Sequence, residues 1–240
     1  MDKFVRSRAA RVRHGVHTAR PRSARADIAF LAADPAREFE ANQEGDPEIR
    51  RRGIDETRPL AFCTPYGCSK GVADQYVLDY AHSFGLPTAV LRMSCIYGPH
   101  QFGTEDQGWV AHFLLRALAG EAITIFGDGK QVRDILHVDD AVAAYRAVLS
   151  DIDTVSGEVF NLGGGPGNAV SLNMLLEEIT EIAVRQPLLG HQQTRPGDQS
   201  YFVADTTKLE TATGWQRTIG WRDGVAHLWH WLAANRKTPP

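Results

Sequence analysis

A tyrosine and a lysine stand four residues apart in the stretch TPYGCSKG, as Tyr66 and Lys70. On a helix that spacing stacks the two side chains on one face, about one turn apart. A lone phenol ionises at about pH 10 and accepts protons poorly at neutral pH, whereas a neighbouring ammonium favours the phenolate and allows a base poised at about pH 7. Such a base suits the oxidation of a secondary alcohol, in which the hydroxyl proton leaves as the carbon gives up a hydride. The bland alternative is a solvated helix face carrying two common residues.

The surrounding pattern predicts the elements that would hold the pair. Proline in the first turn and the spacing that follows predict a helix over 65–84, then a strand at TAVLRM and a turn at YGPHQF. A helix from about Trp109 to Ala119 comes next, followed by strands AITIFG and RDILHV around the turn GDGK and a helix beginning after Asp139 and Asp140. GEVFNLGGG reads as a strand entering a glycine turn, and SLNMLLEEITEIAV as an amphipathic helix with Ser171 as its N-cap. WRDGVAHLWHWLAANR reads as a closing helix, and the order as a whole is α/β. Upstream, the stretch from Ile28 to Phe62 is broken by Pro35, Gly45, Pro47, Gly53 and Pro59, and reads as loop with at most one strand, at IAFLAA.

With 240 residues, 43% hydrophobic and 23% charged, the chain can bury one large core or two small ones. A formal net charge of -3 gives no reason to expect nucleic acid, and no apolar run approaches the roughly 18 residues that suggest a membrane span. Cys63, Cys68 and Cys95 are odd in number and lack the paired spacing of a zinc site, which points to reduced thiols in a cytoplasmic protein. The histidines are scattered, so no metal site is expected. Arg6, Arg8, Arg11, Arg13, Arg20, Arg22 and Arg25 stand against Asp2 at the start of the chain, and residues 1–27 read as a basic, disordered tail.

Beyond the tyrosine and lysine, LRMSCIYGP, FGDGKQVRDILHVDD, FNLGG and RPGDQSYFVADTTKLETATGW follow in that order. With these motifs the chain, from about Ile54 to Trp231, resembles the nucleotide-sugar epimerases and dehydratases of the extended short-chain dehydrogenase/reductase family. Across PYGCSKGVADQYVLDYAHSFGLPTAVLRMSCIYGP and QFGTEDQGWVAHF it is similar to the CDP-paratose (CDP-tyvelose) 2-epimerase branch. The resemblance implies NAD as cofactor, a nucleotide-diphosphate sugar, CDP-linked, as substrate, and epimerisation at sugar C2 by transient oxidation. It implies a possible homodimer as well.

Position by position, the resemblance makes Tyr66 the catalytic base and Lys70 the group that favours its phenolate and holds the nicotinamide ribose. It lays Met93 and Ser94 against the nicotinamide. It gives Arg133 and Arg195 the diphosphate, a task suited to a bidentate guanidinium. Gln107 and Trp109, with Asp106, become branch-specific sugar contacts, Asp106 reading equally as a helix N-cap. Many relatives carry asparagine where this chain has Cys95, so a thiol stands where an amide would touch substrate, with a buried structural cysteine as the alternative. Asp139 and Asp140 read as helix-capping acids rather than as a carboxylate pair or metal ligands.

The implied fold is a Rossmann-type doubly wound parallel sheet, N-terminally truncated, with a smaller C-terminal α/β substrate domain. Residues 28–105 would be a remnant of the NAD-binding domain carrying YxxxK, and 106–240 mainly the nucleotide-sugar-binding part, with segments returning to the Rossmann sheet. No glycine-rich pyrophosphate loop can be drawn through Gly15, Gly45 and Gly53. NLGGGPGNAV has the right order of strand, turn and helix, but Pro166 stiffens the turn, Asn168 takes the last glycine position, and the resemblance puts it in the substrate half. Ser23 is the nearest hydroxyl for the serine or threonine that should face Tyr66. Without its parallel neighbours, TAVLRM is expected to leave strand edges and apolar faces open. Two functions follow: an epimerase incomplete as this chain, or a non-catalytic module that binds nucleotide sugars. Within enzymes, a 4-epimerase or a 4,6-dehydratase is the alternative.

Overall fold

The computed structural model describes residues 13–14, 47–60, 62, 64–195 and 200–235. The helix carrying the tyrosine and lysine, α2 (Pro65–Phe84), starts where Thr64 Oγ1 accepts from Gly67 N at 3.0 Å and stops at Gly85, whose left-handed backbone turns the chain away. Its buried residues are Gly67, Gly71 and Asp74, one every three to four positions. The helix therefore approaches its neighbour on small residues and one carboxylate. Along its outer side Val72, Tyr76, Tyr80 and Phe84 are exposed at intervals of four.

The neighbour is β2 (Val90–Met93), which pairs in parallel with β6 (Val159–Leu162) on one side and with β1 (Arg13–His14) on the other. The edge expected to stay open at TAVLRM is thus covered at Val90 and Leu91. This cover comes from the stretch read as a disordered tail, where two residues are too few to show a strand pattern in sequence. A further departure is α1 (Pro47–Arg52), a helix in the segment read as loop. Among its described side chains the buried one is Ile49, and PEIRRR offers too few apolar residues to show a periodicity.

A second sheet is built on β5 (Val132–His137), which runs parallel to β3 (Cys95–Tyr97) and β9 (Tyr201–Phe202) and antiparallel to β7 (Ala169–Ser171). Strand alternation sends Ile135 to one hydrophobic cluster and Leu136 to the other. The first cluster gathers Tyr97, Phe113, Leu114, Ile123, Leu175, Ile179 and Leu228. The second gathers Leu91, Val148, Phe160, Leu162, Leu209 and Trp215. The remaining elements are α3 (Trp109–Ala119), β4 (Ile123–Phe126), α4 (Val138–Ser150), α5 (Ile152–Val155), α6 (Leu172–Ala183), β8 (Leu189–Gln192), α7 (Thr207–Thr213) and α8 (Trp221–Asn235), and all but β8 add residues to these clusters. The strands β4 and β8 pair in parallel apart from the other two sheets.

Helices α2 and α3 occupy the spans read from sequence, and Ser171 caps α6, its Oγ accepting from Met174 N at 3.1 Å. The helix expected after Asp139 and Asp140 begins at Val138 and is capped by His137. IAFLAA, Ser23 and Cys63 lie outside the described residues. Among the described residues no helix is long and apolar enough to cross a membrane.

Candidate functional site

Tyr66 and Lys70 are brought together as their spacing implied, with Lys70 Nζ 5.5 Å from the centroid of the Tyr66 ring. Tyr66 is 55% exposed, so a ligand can reach the phenol from solvent. What holds the pair against the sheet is an ion pair two turns on. Arg92 Nε on β2 donates to Asp74 Oδ2 at 2.7 Å, with the Asp74 side chain fully buried and that of Arg92 12% exposed.

Past Arg92, β2 ends in Met93 and the chain passes through Ser94 to Cys95. Met93 Sδ accepts from Tyr145 Oη at 3.3 Å, and burial pushes the Tyr145 phenol up to about 12. Ser94 is buried and its hydroxyl is turned onto the carboxylate of Asp134. Its side chain is therefore committed to Asp134. Cys95 Sγ accepts from Trp109 Nε1 at 3.3 Å, joining two residues expected to touch substrate. Burial pushes the Cys95 thiol up, while the positive charge of Arg133 opposes the shift. Cys95 pairs in register with Ile135, so Arg133, two residues earlier, lies on the same face. Arg133 Nη1 donates to Val132 O at 2.8 Å.

Arg195 lies over the ring of Phe126, 3.8 Å from its centroid, and its two terminal nitrogens donate to Glu105 and Asp106. Asp106 is thus a partner of the arginine. The N-cap of α3 is Gly108, and no side chain caps it. Gln107 is exposed, and its backbone closes the turn that presents these two acids. Asp139 is an exposed first-turn acid, whereas Asp140 is buried and ties down the segment before α8, accepting from Thr218 N at 3.0 Å and Ile219 N at 2.9 Å.

Sequence reasoning passed over Asp134, the buried hub of the region. Besides Ser94 it accepts from Gly165 N at 3.0 Å and Ala204 N at 3.2 Å; burial raises its carboxyl while these hydrogen bonds pull the other way. The signal was an acid set inside the apolar run of RDILH. Glu105 was also passed over, since an acid in a polar loop carries no signal of its own.

The exposed Tyr66 phenol with the Lys70 ammonium beside it, and Met93 at the end of β2, supply the polar and apolar groups that the ribose and nicotinamide end of NAD would call for. They do not supply a seat for its pyrophosphate. In the glycine turn that follows β6, a Cβ on Gly163 would strike the Asp134 carboxylate and one on Gly164 the Ile135 carbonyl. The protein's own atoms pack closely against this turn, and Pro166 and Asn168 lie in the single helical turn that follows it. No group of three or more histidines, cysteines or acids able to hold a metal occurs among the described residues.

Residues 16–163 match the NAD dependent epimerase/dehydratase family. The chain is 43% identical over 190 residues to the CDP-paratose 2-epimerase of Salmonella typhi, covering 76% of this chain and 55% of that protein. It is 31% identical over 194 residues to a dTDP-glucose 4,6-dehydratase of Xanthomonas campestris pv. campestris, covering 75% and 52%. Among solved structures, the UDP-glucose 4-epimerase of Thermotoga maritima with UDP-glucose superposes with a TM-score of 0.68 at 32% identity, covering 74% of this chain and 56% of that one. The UDP-glucose 4-epimerase of Thermus thermophilus with NAD superposes with a TM-score of 0.72 at 25% identity, covering 94% and 64%. The chain spans about half the length of the curated relatives it matches. With more than half of its residues inside the matched region and the same Rossmann-type arrangement in its structural neighbours, the chain belongs to the NAD-dependent epimerase/dehydratase family.

Proposed function

We propose that this chain carries the proton-transfer pair and the substrate-holding part of an NAD-dependent nucleotide-sugar epimerase that acts at C2 of a CDP-linked sugar. One juxtaposition supports the reading: α2, bearing Tyr66 and Lys70, is clamped by Asp74 and Arg92 to the strand that leads into Met93 and Cys95, beside Arg133. The choice of CDP and C2 draws on the 43% identity to a CDP-paratose 2-epimerase. In this reading Tyr66 takes the sugar hydroxyl proton and returns it, and Lys70 stabilises the phenolate between the two events. Arg133 and Arg195 hold the diphosphate, while Trp109 and Gln107 face the sugar with Cys95 behind the indole. Held beside Tyr66, Lys70 and Met93, NAD would supply the reversible hydride acceptance that oxidation and re-reduction of the sugar carbon require.

The test is turnover of a CDP-sugar with NAD by the full chain, set beside Tyr66→Phe. The variant should lose turnover and keep CDP binding; undiminished turnover refutes the role of Tyr66. A second reading is a module that binds nucleotide sugars without catalysis, motivated by the lack of a glycine-rich loop through Gly15, Gly45 and Gly53. It requires CDP binding that weakens at least about tenfold in Arg133→Ala, the loss expected of a charge-assisted bidentate contact, and no heat on titration with NAD. Clear NAD binding eliminates it.

A homodimer through α2 and a cytoplasmic location go with the same reading. The exposed stripe Val72, Tyr76, Tyr80 and Phe84 supports the first, and the free thiols of Cys68 and Cys95 the second. Light scattering should then give twice the 26.5 kDa chain mass, falling to the single mass in Tyr76→Glu.

A further inference from the structure

Arg195 is held on three sides, and two of its partners, Glu105 and Asp106, have no part in the proposed chemistry. The Phe126 ring lies under its guanidinium at 3.8 Å and fixes the plane. Its Nη2 donates to Glu105 Oε1 at 2.5 Å and its Nη1 to Asp106 Oδ1 at 3.2 Å. The end-on pair of nitrogens, the edge best matched to two phosphate oxygens, is therefore taken by the protein's own carboxylates.

The two acids sit at the tip of a tight turn. Thr104 N donates to Gln107 O at 2.8 Å and Gln107 N to Thr104 O at 3.3 Å, leaving Glu105 and Asp106 between them. Gly103 presses on the Gly108 carbonyl, where a Cβ would collide, so the turn closes only because position 103 has no side chain. Their side chains are 50% and 86% exposed, which leaves them free to swing into water once displaced. One positive charge facing two negative ones makes a locally anionic cluster, and it repels a phosphate as long as the acids stay.

We infer that Glu105 and Asp106 are place-holders for the ligand's diphosphate and set the charge a ligand must carry to reach Arg195. This rests on the proposed reading of Arg195 as a diphosphate-binding group. A diphosphate matches the guanidinium edge as well as the two carboxylates do and carries more charge, so it exchanges with them. An uncharged nucleoside has nothing to exchange. The acids thus make the diphosphate, rather than the base, the requirement for engaging this arginine.

The test is calorimetric titration of the full chain and of Glu105→Gln/Asp106→Asn with CDP and with cytidine, at low salt. Two exposed ion pairs of this kind together shift an equilibrium about three- to twentyfold. The variant should bind CDP more tightly by that factor and leave cytidine affinity unchanged. In an Arg195→Ala background the same two substitutions should leave CDP affinity unaltered. CDP affinity equal to or below that of the unaltered chain overturns the place-holder role, as does a parallel rise for cytidine or a gain that persists without Arg195. Those results leave the functional reading standing. Absence of CDP binding by both proteins overturns the functional reading and this inference with it.

Discussion

Removing the Asp74 carboxylate should destabilise this chain far more than breaking an ion pair on its surface. The Asp74 side chain is fully buried and that of Arg92 is 12% exposed, so Asp74→Ala leaves a guanidinium in the interior with its charge uncompensated. Losing one partner of a buried pair costs about 3–5 kcal/mol, against about 0–1 kcal/mol for an exposed one. At the size of this domain that is a fall in Tm of about 6–20 °C. Urea unfolding followed by tryptophan fluorescence measures it directly, with the midpoint expected to move and the slope to stay. Replacing both partners by apolar residues, Asp74→Leu with Arg92→Met, should recover most of the loss, because the stranded charge is then gone. A loss below about 1 kcal/mol for Asp74→Ala, no more than an exposed pair gives, or a double variant no better than the single one, would refute the reasoning. The stakes are functional as well as structural, since around Tyr66 and Lys70 the buried positions of α2 are Gly67 and Gly71, and its half-buried apolar residues Val77, Leu78 and Ala81 come only further along.

Asp140→Ala should cost about 2–5 kcal/mol, because two backbone N–H groups and the Thr218 hydroxyl lose their acceptor, whereas Asp139→Ala should stay within about 1 kcal/mol. Equal losses in urea unfolding would contradict this division. His137 is buried and neutral: its Nδ1 accepts from Asp139 N, its Nε2 faces His227 Nδ1 at 3.3 Å, and Tyr97 packs edge-on against the ring. Burial pushes it below the ordinary 6.5, with His227 acting the same way and Asp139 and Asp140 opposing. The native state then binds fewer protons than the unfolded chain. The stability this confers is complete above pH 6.5 and is lost as the pH falls below it, by at most about 1.4 kcal/mol per pH unit. His137→Gln should flatten that part of the profile, and parallel slopes for variant and unaltered chain between about pH 7.5 and 5.5 would remove His137 from the account.

The parts of this fold legible in the sequence are those whose information is local. The proline and threonine that open α2, the glycine that closes it and the serine that caps α6 act within a turn of their own position, and each could be read there. The α2 spacing also placed Tyr66 beside Lys70 without help from the rest of the chain. What stayed hidden depends on partners far along the chain. Asp74 and Arg92 are 18 residues apart, Arg195 and Asp106 are 89 apart, and Asp134 draws on Ser94, Gly165 and Ala204. No periodicity records such meetings. Ser94 is instructive: its hydroxyl meets a buried acid 40 residues later, a partner that no local pattern around LRMSC records.

The two halves of the proposed chemistry are built differently in this chain. On the substrate side two of the groups are already restrained before any ligand arrives: Trp109 is tied to Cys95, and Arg195 is stacked on Phe126. On the chemical side Tyr66 is placed by its helix but remains 55% exposed. Water at a base levels the field of the neighbouring ammonium, since the same charge pair interacts several-fold more weakly in bulk water than at a protein surface. Nucleotide binding should therefore depend on residues this chain already holds in position. Proton transfer depends in addition on whatever covers the phenol, beginning with the sugar and the nicotinamide themselves. For that reason affinity for CDP and turnover of a CDP-sugar are separate measurements here, and a chain that binds the first without performing the second would still have its arginines correctly assigned.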